Sequence, residues 1–215
     1  KLAQAKIEAI ILDHHSTTEQ RPPVFSFINP KFKKEKYPFK DLAAGGVVFK
    51  LTQALLATAG SLAGGEAFIK WSLDIVALAT VADMMPLLDE NRTLVKWGLV
   101  VLNKTKRLGL KELFNIAGLS TIASGDQSAE QKFLFPSNMA VQQSKRPPKP
   151  INSYEIGFII APRLNAAGRM NHANAAFQLL TAKDQLEAKK LAQELNQANQ
   201  QRQSSTNQIL AQAEQ

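Results

Sequence analysis

A chain of 215 residues suffices for one large domain, or a domain with an extension, and 45% apolar with 20% charged residues is the balance of an ordinary soluble globular protein. No run reaches the roughly 20 apolar residues of a bilayer span, no basic-then-apolar leader opens the chain, and zero cysteines exclude disulfides and thiolate metal sites. Against 18 Asp+Glu, 26 Lys+Arg leave a net charge of +8, which favours polyanionic partners such as nucleic acid; a basic soluble protein without such a partner is the alternative. Any metal must be held by His, Asp, Glu or water, which suits Mg²⁺ or Mn²⁺. The lack of cysteine fits a reducing compartment, here the cytoplasm. The first residue is Lys1 rather than Met, so a natural N-terminus is expected upstream.

In chain order, Ile7–Leu12 is an apolar, β-branched run that reads as a buried parallel strand ending at Asp13. Four prolines between residues 16 and 40 predict a loop, with a short extended piece at Val24–Ile28. Asp41 is the expected N-cap of a helix through Val47, Val48, Leu51 and Leu55, ended by Gly60, Gly64 and Gly65. Trp71–Leu88 reads as a helix stopped near Pro86, and Leu94–Leu102 and Leu110–Ala117 as two shorter ones. Residues 120–152, rich in Ser, Gln, Pro and Lys, read as a flexible insertion. Structure resumes at Tyr154–Ile160. From Asn174 onward a long polar helix is expected, with Leu186, Ala188, Leu191, Ala192, Leu195 and Ala198 as its apolar stripe, leaning on a following domain.

Three places could carry chemistry. Asp13-His14-His15 holds two of the three histidines directly after a predicted strand, at the sheet end where α/β sites are built. One imidazole could ligate a metal and the other face substrate, with Asp13 orienting a ring; a loop with two surface histidines is the alternative. Asp83 lies in an apolar run and needs a metal, a cationic partner or exposure at a helix end. Arg163, Asn165, Gly168 and Arg169 stand among small residues where guanidinium forks could meet phosphate; a turn with structural arginines is the alternative. Lys31, Lys33, Lys34, Lys36 and Lys40, interleaved with Phe32, Tyr37 and Phe39, could track and stack a nucleic-acid strand or form a solvated loop. Gly45-Gly46 reads as close packing of a helix against a strand. His172 stands alone and is not expected to be a ligand.

Taken in order, Asp13-His14-His15, Ile28-Asn29-Pro30-Lys31, Leu42–Leu51, Ala77–Leu87 and Ala161–Met170 resemble the RecJ-type single-stranded-DNA exonucleases of the DHH phosphoesterase superfamily. The resemblance covers most of residues 5–118 and 154–200; residues 120–152 depart from it. It implies a two-metal phosphoesterase using Mn²⁺ or Mg²⁺, with His14 and Asp83 as metal ligands, His15 on the scissile phosphate and Asp13 in support. It places Arg163, Asn165 and Arg169 near substrate phosphates, and implies degradation of single-stranded DNA from the 5′ end in DNA repair and recombination. Replication and repair proteins are the expected partners, with no membrane. The family's Asp-x-Asp pair and further Asp precede the DHH motif and are absent here, so these 215 residues alone are expected to be inactive.

The fold expected is α/β: the C-terminal part of a DHH-type parallel-sheet domain, helix-rich, followed by a long connecting helix. Residues 1–118 would belong to the catalytic domain, 119–153 to the insertion, 154–173 to the end of the core and 174–215 to the interdomain helix. Two other functions stay open: a different DHH phosphoesterase (oligoribonuclease or cyclic-dinucleotide phosphodiesterase), and an inactive relative acting as a DNA-binding component.

Overall fold

A computed structural model of the chain describes residues 4–58, 65–119, 150–169 and 173–214. It divides into two units, residues 1–102 and 103–215. In the first, β1 (Ile10–Leu12) and β2 (Ser26–Ile28) pair in parallel, Ile10 opposite Ser26 and Leu12 opposite Ile28. Parallel pairing was expected, but the strand is shorter than the apolar run. Ile7, Ile10 and Ile11 are exposed, and Leu12 alone of the run packs against the core. Among the described residues the sheet has these two strands only, so an outward-facing side chain of β1 meets solvent rather than a covering layer.

Three helices follow: α1 (Ala44–Thr58), α2 (Gly65–Ala82) and α3 (Asp89–Asn103). Asp41 does not cap α1. The first turn closes through the Val47 amide on the Ala43 carbonyl, and the Asp41 carbonyl accepts instead from the Asn91 side chain at 2.6 Å. Leu42, Val47, Phe49, Val76 and Leu94 form the core, with Leu12, Ile28, Tyr37 and Phe39 packed against it. Each such aliphatic or aromatic side chain, fully buried, contributes about 1.5–3 kcal/mol. Glycine lets the helices approach. A Cβ on Gly45 would lie 2.7 Å from the Ala79 Cβ, so Gly45 packs helix against helix rather than helix against strand. On Gly98 it would lie 2.5 Å from both the Ala77 Cβ and the Leu73 carbonyl oxygen.

The aromatic residues of the lysine-rich segment turn inward. Tyr37 and Phe39 pack against the core and Phe32 meets Phe27 edge to face, which favours the solvated loop with anchoring aromatics over rings that stack bases. The Tyr37 hydroxyl donates to Glu90 Oε2 at 2.7 Å, and Lys50 Nζ pairs with Glu90 Oε1 at 2.7 Å. Partial burial alone would raise the Glu90 carboxyl, but Lys50 and Tyr37 outweigh it and hold the group below its ordinary value. Burial would likewise lower Lys50, yet the Glu90 hydrogen bond raises it.

In the second unit, α4 (Leu108–Ile116) is followed, beyond residues 120–149, by the turn α5 (Ser153–Glu155). The insertion expected there lies mostly outside the described residues, but its last part is anchored. Ile151 is buried, and its backbone N–H and C=O bond the Asn103 side chain at 2.8 and 2.9 Å. Asn152 and Glu155 then form a reciprocal capping box. A π-helical turn (Ile156–Ile160) leads into α6 (Ala161–Arg169). Pro162 accounts for the widening: it has no N–H to donate, and its ring would collide with the carbonyl four residues back in a regular helix. The polar C-terminal region is two helices rather than one, α7 (Ala173–Thr181) and α8 (Gln185–Ala213). Asp184 starts the second by accepting from the Glu187 amide at 2.9 Å. The buried stripe of α8 runs Ala188, Leu191, Ala192, Leu195 and Asn199; Leu186 lies exposed, off it.

Two outcomes are expected in denaturation experiments. Gly98→Ala lowers the unfolding free energy by about 1–3 kcal/mol through overpacking, although helix propensity alone would raise it by up to about 1 kcal/mol. The Glu90 contribution is fully present above the ordinary carboxylate value of 4.5 and is lost as pH falls through the lower folded value. That of Lys50 is present below 10.5 and lost as pH rises through its raised folded value. A Glu90→Gln protein therefore shows its largest stability deficit between those limits, and a deficit unchanged at pH 3 would contradict this.

Candidate functional site

The carboxyl end of β1 delivers Asp13, and the Asp13 amide donates to the Ile28 carbonyl at 3.0 Å, carrying the ladder one step beyond the strand. The Asp13 carboxylate then organises the next two residues. Its Oδ1 accepts from the His14 amide at 2.8 Å, the His15 amide at 3.3 Å and His15 Nδ1 at 2.7 Å. A carboxylate only accepts, so His15 Nδ1 carries the proton and Nε2 points away from this bond. Partial burial by itself would raise the Asp13 carboxyl; the His15 ring and the two amides overcome it and hold the group below 3.8. The two imidazoles differ in setting. The His14 side chain is 13% exposed and that of His15 77%, their rings tilted at 39° with centroids 4.3 Å apart. Ligand atoms of Asp13, His14 and His15 all lie within 4.8 Å of one another.

Asp83 reaches the same place from α2. The Met84 amide bonds the Val81 carbonyl and the Met85 amide the Thr80 carbonyl, while Met84 takes a left-handed φ of 54°. This is a Schellman stop with Asp83 as C-cap and Pro86 just beyond it. Its side chain is therefore 39% exposed rather than buried in the apolar run, and Asp83 Oδ2 lies 3.4 Å from His14 Nε2. A carboxylate at the negative end of a helix is unfavourable by about 0.3–1 kcal/mol, and a cation beside it offsets that. The pair fits two adjacent ligands of one small divalent ion: at metal–ligand lengths near 2.1 Å, neighbouring corners of an octahedron lie roughly 3 Å apart. The His14 Nδ1, buried and without a hydrogen-bond partner, lacks the outer acceptor that usually orients a ligating imidazole.

The expected residues thus separate. Asp13, His14, His15 and Asp83 meet within the first unit; Arg163, Asn165 and Arg169 sit on α6 in the second, a helix rather than a turn. The Arg163 guanidinium is engaged there: Nη1 donates to the Ile159 carbonyl at 2.7 Å and Nε to Asn196 Oδ1 at 3.0 Å. It supports the π-helical turn and ties α6 to α8. Burial lowers its basicity. Asn165 is exposed; the Arg169 side chain and all of His172 lie outside the described residues. Two polar residues with no role assigned from the sequence are fully buried in the first unit: Asn29, which reaches the His15 carbonyl, and Asn91, which reaches the Asp41 and Pro86 carbonyls. The Asn29-Pro30 step is itself a turn signal, and the Lys31 amide closes it on Asn29 Oδ1 at 2.9 Å.

No family model matches the chain. It is 39% identical over 197 residues, 92% of its length, to the single-stranded-DNA-specific exonuclease RecJ of Bacillus subtilis. It is 33% identical over 206 residues to that of Haemophilus influenzae. The chain belongs to the RecJ family. It spans 20% and 31% of the length of those two RecJ relatives. A crystal structure of exonuclease RecJ bound to manganese superposes over 98% of the chain, covering 45% of its own, with a TM-score of 0.73 and 28% identity. RecJ of Thermus thermophilus in complex with Mg²⁺ gives 0.68 over 96% of the chain, 26% of its own, at 28% identity. The α/β, helix-rich architecture with its small parallel sheet matches these RecJ structures.

A test of the helix stop follows from Met84, which is 89% exposed and held where glycine is favoured. Relieving a left-handed conformation is worth about 1–2 kcal/mol, less the 0.5–1 kcal/mol that glycine adds to unfolded-chain entropy. Met84→Gly is expected to raise stability by up to about 1 kcal/mol in urea titration; a loss of that size would show that the side chain, not the backbone, matters there.

Proposed function

We propose that these residues form one half of a metal-dependent nuclease centre, which in the full-length protein hydrolyses single-stranded DNA from its 5′ end. The observation that carries the reading is the approach of His14 Nε2 to Asp83 Oδ2, from a strand end and a helix end far apart in the chain. Relatives bound to manganese and magnesium support Mn²⁺ or Mg²⁺ as the ion. When bound, such an ion offsets charge on phosphate oxygens and makes water more acidic.

The chain's own residues would act as follows. His14 and Asp83 bind the ion. Asp13 holds His15 by its Nδ1–H, which leaves Nε2 exposed; in the doubly protonated ring the Nε2–H would donate to an oxygen of the scissile phosphate. Asn165 and Arg169 are the better candidates for further phosphate contacts, because Arg163 is already engaged with Asn196 and the Ile159 carbonyl. The family's Asp-x-Asp pair and additional Asp would complete the ligand set, so these 215 residues alone would not turn over. The setting would be DNA repair and recombination in the cytoplasm; no helix of the described residues is long and apolar enough to cross a membrane.

The decisive experiment uses the full-length protein with Mn²⁺ on single-stranded DNA labelled at either end. Immediate release of the 5′ label is expected, and His14→Ala and Asp83→Ala should each lower kcat/KM by at least about 100-fold, the upper range for disturbing a metal's surroundings. Release of the 3′ label first would refute the polarity. Hydrolysis by these 215 residues alone would refute the half-site.

A further inference from the structure

We infer that Asn29 and Asn91 are positioning residues that set the separation of His14 from Asp83, one on each limb of the half-site; the inference rests on the metal-binding reading above. Asn29 is fully buried at the end of β2. Its Nδ2 donates to the His15 carbonyl at 3.0 Å while its Oδ1 accepts the Lys31 amide at 2.9 Å. With the Asp13 amide bonded to the Ile28 carbonyl at 3.0 Å, the backbone is stitched to β2 on both sides of His14. This matters because the His14 ring has no acceptor at Nδ1 to orient it. Its aim then depends on its packing, including the His15 ring at 4.3 Å, and on the backbone that carries it, which the Asn29 clasp holds.

The other limb is held through donation alone, the buried Asn91 Oδ1 having no hydrogen-bond partner among the described residues. Asn91, fully buried in the first turn of α3, donates through Nδ2 to the Pro86 carbonyl at 2.9 Å and to the Asp41 carbonyl at 2.6 Å. Pro86 closes the segment that leaves the Asp83 cap. The connection from α2 to α3 is awkward: Met84 and Asp89, at its two ends, both have left-handed backbone, with φ of 54° and 43°. A buried tie to the Pro86 carbonyl and to the chain entering α1 keeps it in one conformation. Only an amide suits Asn29, since it must donate to one backbone group and accept from another without charge. A carboxylate there would keep the Lys31 bond but face the His15 carbonyl with no hydrogen to give.

Residues that orient metal ligands change metal affinity by roughly 10–100-fold when removed, and a misplacement of about 1 Å costs on the order of 100-fold in rate. The test is Mn²⁺ binding to the full-length protein without DNA, by titration calorimetry, together with kcat and KM on single-stranded DNA. Asn29→Ala and Asn91→Ala should each weaken Mn²⁺ binding about 10–100-fold and lower kcat, with KM for DNA held within about threefold. Val47→Ala, in the core on α1, serves as the comparison: a similar drop in Tm with Mn²⁺ affinity unchanged. If the asparagine variants bind Mn²⁺ as the wild type does, or no more weakly than Val47→Ala at equal Tm, they are structural only and the inference is overturned. Should Asn29→Ala not fold, Asn29→Asp and Asn91→Ala decide by the same comparison. Unchanged Mn²⁺ binding in His14→Ala would be a different failure, removing the half-site reading and this inference with it.

Discussion

The approach of one imidazole to one carboxylate organises the first unit. His14 comes from a strand end and Asp83 from a helix end, and 3.4 Å between their polar atoms leaves little slack. Both are placed at some cost. Asp83 stands at the negative end of α2, Met84 is bent into a conformation glycine prefers, and the His14 Nδ1 is buried without a partner, which alone disfavours the fold by about 1–3 kcal/mol. Nothing in helix or strand stability asks for these features. They persist because the core of Leu42, Val47, Phe49, Val76 and Leu94 and the close packing at Gly45 and Gly98 over-determine the positions of β1, α1, α2 and α3. Unfavourable geometry concentrated at a handful of neighbouring residues, inside a well-packed frame, is the usual mark of a site built for a ligand.

Elements with a clear apolar period were legible in the sequence. The parallel strand before Asp13 and the helices around Leu94–Leu102 and Leu110–Ala117 emerge close to where the pattern puts them. What failed was local. Asp41 looked like an N-cap, but the helix begins three residues later because the Asp41 carbonyl is claimed by Asn91, a tertiary contact no window of sequence contains. The break between α7 and α8 carries neither glycine nor proline, so the period ran through it; the Asp184 cap was the available signal. Pro162 is the opposite case, a helix-breaking residue inside a helix. Its disruption is absorbed by one π-helical turn and by Arg163, which bonds the Ile159 carbonyl.

Within the candidate site, chemistry was more legible than support. Histidine and aspartate advertise metal binding by type, so Asp13, His14, His15 and Asp83 could be singled out, and the structure brings those four together. Asparagine has no such signature. Asn29 and Asn91 act through which backbone groups they reach, and that depends on β2 lying beside β1 and on α3 folding back toward Pro86. Arginine is ambiguous by type. Arg163 suits phosphate or structure equally, and here Nε ties α6 to α8 through Asn196 while Nη1 bonds the Ile159 carbonyl.

The same distinction bears on how much weight the net charge can carry. A surplus of +8 suggests a polyanion, but several of the cations are already occupied. Lys50 pairs with Glu90, Lys33 with Glu19 and Lys190 with Glu194, and Lys40 reaches the Glu35 carbonyl. Surface pairs of this kind contribute little to stability and leave the +8 unchanged, since their acids are already counted in it, but they weaken the field locally at Lys33, Lys50 and Lys190. The aromatic residues of the lysine-rich segment are likewise drawn into packing. General attraction to phosphate therefore discriminates poorly between a nuclease and any other basic protein. A half-buried histidine facing a carboxylate at a helix end, with a second histidine held through its Nδ1–H beside it, is a far narrower arrangement. It is on that geometry, not on the surplus of lysine and arginine, that the reading as a nuclease half-site stands.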